Sequence, residues 1–442
     1  MVFAAAGGEG ATVVGSDIGW MLMSTALVLL MTPALGFFYA GLVRSKNSLN
    51  TLMMSVVSMG FVGLAWALLG YSLAFAPEVA GIGGIDHALL RGVGLEAKGT
   101  IPHLLFMAFQ GTFAIITTAL ISGAIVERMR FPAYVAFITA WSLLVYAPVA
   151  HWVWGGGWLG RLGALDFAGG TVVHITAGTA AFVAAVILGP RKDYARQALV
   201  PHSVPLTVLG AGLLWFGWFG FNGGSALAAN GQAALAFVNT MFAPAATLVV
   251  WTILDMMRTA KATAVGIATA IVVGLVAVTP AAGYVSPLGA MAIGALAAFP
   301  SYLAVLVRAR TRLDDSLDVV AAHGVGGVVG ALLTGVLAQR SWGSPADGLL
   351  FGNPSQLGIQ ALAVVVVIAF TAAVTTGILL LVKVVSPIRA ALRHEGIGLD
   401  VSEHGEEAYG HSEGAVLVLP EMRAAMTVAP LAPAFGAQGD KA

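Results

Sequence analysis

Cysteine is absent from the 442 residues, which excludes disulfides, thiolate metal sites and thiol nucleophiles. Charge is scarce. Asp, Glu, Lys and Arg make up 10% of the chain, against about 25% in a soluble globular protein. Neither sign is in excess, because 21 basic residues balance 21 acidic ones. A nucleic-acid partner, which needs a basic surplus, is thereby disfavoured. The opening Met-Val-Phe-Ala-Ala-Ala-Gly-Gly-Glu-Gly carries no Lys or Arg, so it lacks the basic start of a secretory signal and reads as a short tail. The His-Glu-x-x-His, Gly-x-Gly-Asp and Gly-x-Ser-x-Gly patterns of intramembrane and hydrolytic enzymes are also missing. An enzyme is not expected, and nothing points to a cofactor.

What is abundant is apolar: 58% of residues are hydrophobic and 56 are glycine. That composition fits a helical membrane protein with closely packed helices. A span needs about 20 mainly apolar residues, and about eleven such runs occur, roughly 18–41, 49–76, 101–126, 131–153, 169–189, 202–221, 233–257, 262–279, 283–307, 317–338 and 356–385. Only Thr279-Pro-Ala-Ala-Gly-Tyr284 divides the eighth from the ninth. The expected fold is all-α and polytopic. Residues 1–385 form the membrane body, 386–421 a cytoplasmic C-terminal region and 422–442 a disordered Ala- and Pro-rich tail.

Basic residues orient the chain. With the N-terminus outside, the inner loops and the end of the last span carry fifteen of them, including Arg44, Arg128, Arg130, Arg191, Lys192, Arg308 and Arg389. The outer loops carry four: Arg91, Lys98, Arg161 and Arg340. This bias follows the positive-inside rule and predicts an N-out, C-in topology.

Two histidines recur in similar surroundings. His174 falls in the fifth run and is followed by Ala177, Gly178 and Ala181; His323 falls in the tenth and is followed by Gly326, Gly327 and Gly330. On a helix those small residues share the histidine's face, so the two helices are expected to approach closely with an imidazole at the contact. Five spans lie between equivalent features, which predicts an inverted repeat of spans 1–5 and 6–10 with span 11 peripheral. An ionisable group inside a span usually faces a pore or cavity, and paired imidazoles can pass a proton or line a polar path. The alternative is two unrelated rings, each bonded to a backbone carbonyl. A metal site is disfavoured, because no further ligand lies at a suitable spacing.

Asp166 precedes His174 by eight residues, about 12 Å along a helix, which is too far for a direct bond. It suits the N-cap of the fifth span, accepting backbone N–H groups of Phe167-Ala-Gly-Gly. A second role, attracting a cation or taking its proton, stays open. Trp154 ends the fourth span. It reads as an interfacial belt residue or as a cation–π face at a pore mouth, and the residues alone favour the belt. Phe109 and Phe113 lie one turn apart on the third span, and Trp215-Phe-Gly-Trp218-Phe-Gly-Phe221-Asn-Gly-Gly-Ser225 closes the sixth. Such rings usually pack, although hydrophobic constrictions also gate pores.

Taken together these stretches resemble the bacterial branch of the ammonium transporter (ammonia channel) family. The matching segments include Phe38-Tyr-Ala-Gly-Leu-Val-Arg-Ser-Lys-Asn47, Ala150-His-Trp-Val-Trp-Gly-Gly-Gly157, Gly163-Ala-Leu-Asp-Phe-Ala-Gly-Gly-Thr-Val-Val-His174 and Gly398-Leu-Asp-Val-Ser-Glu-His-Gly-Glu-Glu-Ala-Tyr409. The resemblance implies a homotrimer in the bacterial inner membrane with one pore per subunit. It implies that Trp154, Phe113 and Ser225 recruit ammonium and that Phe113 and Phe221 form a stacked gate. It further implies that His174 and His323 line an apolar pore and that Asp166 is the family's essential aspartate. A PII-type signalling protein at the inner mouth is the implied partner. The expected function is ammonium uptake for nitrogen supply: the ion loses a proton near the gate and ammonia passes the histidines, with proton co-transfer left open. The alternatives are an ammonium sensor on the same fold and a proton-coupled transporter of another small solute.

Overall fold

The computed structural model describes residues 12–409. The N-terminal tail, the last part of the 386–421 region and the 422–442 tail fall outside them. Among the described residues, eleven helices are long and apolar enough to cross a membrane: Gly15–Leu42, Ser45–Phe75, His103–Ser122, Phe131–Leu162, Gly170–Leu188, Val204–Gly224, Gly231–Thr259, Ala264–Ala281, Pro287–Arg308, Val320–Leu337 and Pro354–Val385, here spans 1 to 11. All eleven expected runs are present. The eighth and ninth are separate, divided around Ala282–Ser286.

Small residues let the helices close on one another. A Cβ at Gly210 of span 6 would sit 2.4 Å from the Phe38 backbone nitrogen, and one at Gly220 would sit 2.9 Å from the Ser24 carbonyl oxygen. Span 6 therefore lies backbone to backbone on span 1, a packing that works in lipid through shape rather than hydrophobic drive. Span 11 packs on spans 5 and 10, and span 8 on spans 7, 9 and 10.

The bundle has two distinguishable ends. Span 4 starts beside the C-terminal segment, where Arg130 N–H donates to the Ile388 carbonyl, and it runs to Trp154 at the other end. Span 5 starts next to Trp154, whose indole N–H donates to the Asp166 carbonyl at 2.9 Å. Span 10 starts at the opposite end, where Arg191, just after span 5, pairs with Asp314 at 2.8 Å. Spans 5 and 10 therefore run in opposite directions.

The C-terminal segment is stitched to the body. Asp400 accepts Leu49 and Asn50 N–H at 3.0 and 2.7 Å, capping span 2, while Glu403 accepts Phe131 N–H at 3.1 Å, capping span 4. Both carboxylates meet helix N-termini, where unpaired donors and the dipole favour negative charge. Beneath them Glu127 is fully buried and accepts from Arg44 at 2.9 Å and Asn47 at 2.7 Å, with Arg191 on its other oxygen. Burial pushes the Glu127 carboxyl up, but Arg191 and Arg44 outweigh it and hold it below the usual range.

Candidate functional site

A chain of rings leads inward from Trp154. The Trp154 ring meets Phe113 edge-on at 6.0 Å. Phe113 stacks on Phe221 at 4.2 Å with an interplanar angle of 28°. Phe221 faces His174 at 6.1 Å, and His174 lies 5.3 Å from His323. The five rings come from spans 4, 3, 6, 5 and 10, residues far apart in the chain. Trp154 is only 4% exposed, so it is not a belt residue on the outside of the subunit. Phe109 supports Phe113 edge-on at 4.9 Å. Ser225 sits one turn beyond Phe221 and donates its hydroxyl to the Phe221 carbonyl at 2.8 Å.

Beyond Phe221 lies a narrow cavity with about 10 Å³ open to the centre of a water-sized sphere, roughly the room that one water needs. Its walls are Met31, Leu35, Phe38, Ile116, Leu120, Val173, Leu214, Trp218 and Val272, with His174 and His323 as the imidazoles. Trp218 stacks on His174 at 5.5 Å and donates its indole N–H to Thr279 at 2.9 Å, which fixes the ring plane beside the histidine.

The two imidazoles are paired to each other. His174 Nδ1 and His323 Nδ1 are 3.2 Å apart. Two neutral rings can hold that contact only if one carries its hydrogen on Nδ1 and the other on Nε2. The Nε2 of His174 is buried without a hydrogen-bond partner and borders the cavity with its ring.

Each histidine lies in a π-helical turn, Gly170–Ile175 in span 5 and Val320–Val325 in span 10. His174 N–H reaches back five residues to the Gly169 carbonyl at 3.0 Å. Such a turn inserts an extra residue and swings the side chains that follow it. The expected small faces are therefore only partly at the contact. Gly178 meets span 10 directly, since a Cβ there would sit 2.3 Å from the Gly324 Cα, and Gly327 faces the His174 Cβ. Gly326 and Gly330 turn away to span 8, against Val276 and Ala277.

Asp166 organises the first of these turns. Gly169 and Gly170 N–H donate to one carboxylate oxygen at 2.7 Å each; Thr171 and Val172 N–H donate to the other at 2.8 and 3.1 Å. The Thr171 hydroxyl also donates to that oxygen. The donors are shifted toward the helix from the expected Phe167-Ala-Gly-Gly, because Phe167 N–H bonds the Pro280 carbonyl instead.

A residue that the sequence reading passed over is the counterpart of Asp166. Asp315 precedes His323 by the same eight residues. It is fully buried, and its Oδ2 accepts Val320 N–H, the first residue of the second π turn, at 2.7 Å. The repeated spacing was the available signal, hidden in the cluster of Asp314, Asp315 and Asp318.

Comparison with known proteins bears on this geometry. A model of the Ammonium Transporter Family matches residues 19–409. The chain is 47% identical over 401 residues to an ammonium transporter of Bacillus subtilis, covering 90% of this chain and 99% of that one. It is 50% identical over 398 residues to an ammonium transporter of Aquifex aeolicus, covering 89% and 93%. Among solved structures, Mep2 of Candida albicans superposes with a TM-score of 0.81 at 36% identity, covering 85% of each chain. A structure named Sensor Amt Protein gives 0.82 at 32% identity, covering 88% and 98%.

Proposed function

This chain belongs to the ammonium transporter family and its function is ammonium transport; from that premise we propose how the site carries it out. The relatives are named transporters, not enzymes. Ammonium is drawn to the Trp154 ring face by cation–π attraction and is held beside Phe113 and the Ser225 oxygen. Entering the cavity as an ion is costly, because a charge at the centre of a span costs at least about 2.5–3.5 kcal/mol and the walls offer little but hydrocarbon. The ion therefore gives up its proton at the Phe113–Phe221 gate, with Asp166 holding the turn beneath. The proton crosses separately through the bonded His174–His323 pair, entering at one outer ring nitrogen as another leaves from the far one, so that net charge is carried. Ammonia then passes the gate and moves along His174 and His323 by exchanging hydrogen bonds. K⁺ has no proton to give up, so the same step supplies selectivity.

The observation that carries this reading is the cavity itself. It has room for about one water, is apolar, and its imidazoles are bonded to each other at Nδ1, so it suits a small neutral molecule and not a hydrated ion. The basic residues support a topology with Trp154 outside and the C-terminal segment in the cytoplasm. The opposed directions of spans 5 and 10 support the inverted repeat. A homotrimer in the bacterial inner membrane is proposed from family membership. A PII-type partner is proposed at the C-terminal segment, and the likeness to a protein named as a sensor supports a signalling partner.

The test is the current evoked by an ammonium pulse in proteoliposomes, with wild type and with His174 and His323 replaced. Wild type is expected to pass ammonium current and no K⁺ current. Loss of both rings should cut ammonium flux and weaken exclusion of K⁺. If flux survives with K⁺ still excluded, the histidines are not the selective element. If wild type moves another solute and no ammonium, the reading fails.

A further inference from the structure

The two π turns are alike in spacing and cap but differ in how their carboxylates are used. Asp166 spreads five hydrogen bonds over both oxygens. Asp315 has Val320 N–H on Oδ2, while its Oδ1 is buried with no partner. An unpartnered carboxylate oxygen in a fully buried site is costly. The neighbouring Asp314 avoids that cost, because Arg191 bonds it twice at 2.8 Å through its side chain and once at 2.8 Å through its backbone.

We propose that Asp315 is a positioning residue for His323, and that the charge on its carboxyl makes the path respond to pH on the side where the C-terminal segment lies. This deepens the transport reading above and rests on it.

The physical route is short. The ionised carboxylate accepts Val320 N–H as a charge-assisted bond, roughly twice as strong as a neutral one. That bond fixes the start of the turn that carries His323 opposite His174. When the carboxyl gains a proton the bond weakens, and the free Oδ1 is where that proton binds. The groups that bear on this carboxyl are known. Asp318 adds negative charge from the same loop, and Arg308 offsets it while pairing with Asp318 at 2.7 Å. Arg128 in the turn before span 4 and Tyr39 on span 1 also lie within its electrostatic reach. Burial first, and then the Asp318 charge, push the Asp315 carboxyl up to about 7. Asp314 moves the other way: burial raises it, but Arg191 and Arg128 outweigh that and hold it below the usual range.

The experiment compares wild type, Asp315→Asn and Asp315→Glu in proteoliposomes of one orientation. Ammonium-evoked current is read while pH is varied from 6 to 8 only on the C-terminal-segment side. Asn keeps an oxygen for Val320 N–H but cannot ionise. Wild-type current should fall several-fold from pH 8 to pH 6. The Asn variant should change less than about 1.5-fold over that range, and the Glu variant should regain the dependence. An Asn profile that follows wild type overturns the proposal, as does a flat wild-type profile. If Glu is as flat as Asn, side-chain shape alone matters and the proposal fails. If wild type carries no ammonium current, the transport reading has failed instead. The pH dependence of thermal unfolding in detergent, wild type against Asn, then still reports whether Asp315 titrates near neutrality.

Discussion

The two ends of the path make the same backbone device from the same spacing and load it differently. At the Trp154 end, Asp166 holds four backbone N–H groups and a hydroxyl. At the other end Asp315 holds Val320 N–H, with Oδ1 unpartnered. A saturated carboxylate is a fixed fitting, whereas an unsaturated one can still exchange a proton. On the proposed reading the first end meets the arriving ion, and the saturated carboxylate keeps the turn beneath its rings rigid. The second end lies among Arg128, Arg191 and Arg308, beside the docked C-terminal segment.

The largest expected effect separates the two carboxylates. Asp166→Ala strands several donors at once and should cost about 3–5 kcal/mol, while Asp315→Ala strands one and should cost about 1–2 kcal/mol. Thermal midpoints in detergent measure both, and the Asp166 variant should also leave only background ammonium flux. Equal losses would erase the distinction.

Next comes the seam between the histidine helices. A Cβ at Gly178 would lie 2.3 Å from the Gly324 Cα, whereas one at Gly324 would lie 3.6 Å from Gly178. Gly178→Ala should therefore force spans 5 and 10 apart at a cost of about 1–3 kcal/mol and lower flux, while Gly324→Ala should be tolerated. Matched melts and flux assays of the pair test this.

A third test follows from proton linkage. The Asp315 carboxyl titrates near 7 in the fold, against an ordinary value of 3.8. Its folded value is raised, so its contribution to stability is full below about pH 4 and is lost as pH climbs to about 7. Asn suffers no such loss. Asp315→Asn should gain on wild type across that window and hold the gain above it, by up to about 4 kcal/mol for that shift, as read by melts at several pH values. A constant difference would remove the linkage.

The smallest effect belongs to the mouth. Trp154→Leu should forfeit about 0.5–1 kcal/mol of cation–π attraction, raising the half-saturating ammonium concentration a few-fold with less change in maximal flux. The reverse pattern would take Trp154 out of recruitment.

The spans were legible because burying backbone in lipid demands long apolar helices, and such runs survive any uncertainty at their edges. The histidine pair was legible from its repeated small-residue context. The π turns were not. Shifting one hydrogen bond from the fourth to the fifth preceding carbonyl leaves no trace in hydrophobic periodicity, and it redirected Gly326 and Gly330 to span 8. The burial of Trp154 was equally hidden, since a belt tryptophan and a pore tryptophan read alike at the end of an apolar run. Asp315 lies among charges that look like an ordinary loop. Only the matching interval to His323 distinguishes it.

The Nδ1-to-Nδ1 contact between the histidines has a consequence for turnover. One hydrogen sits between the rings, so the row has a polarity: one outer nitrogen donates and the other accepts. A proton that enters at the accepting nitrogen and leaves from the donating one reverses that polarity. The row would then refuse a second proton from the same side until both rings had returned to their former tautomers. On the proposed reading, ammonia would pass without disturbing this arrangement, whereas charge would pass only once per reset.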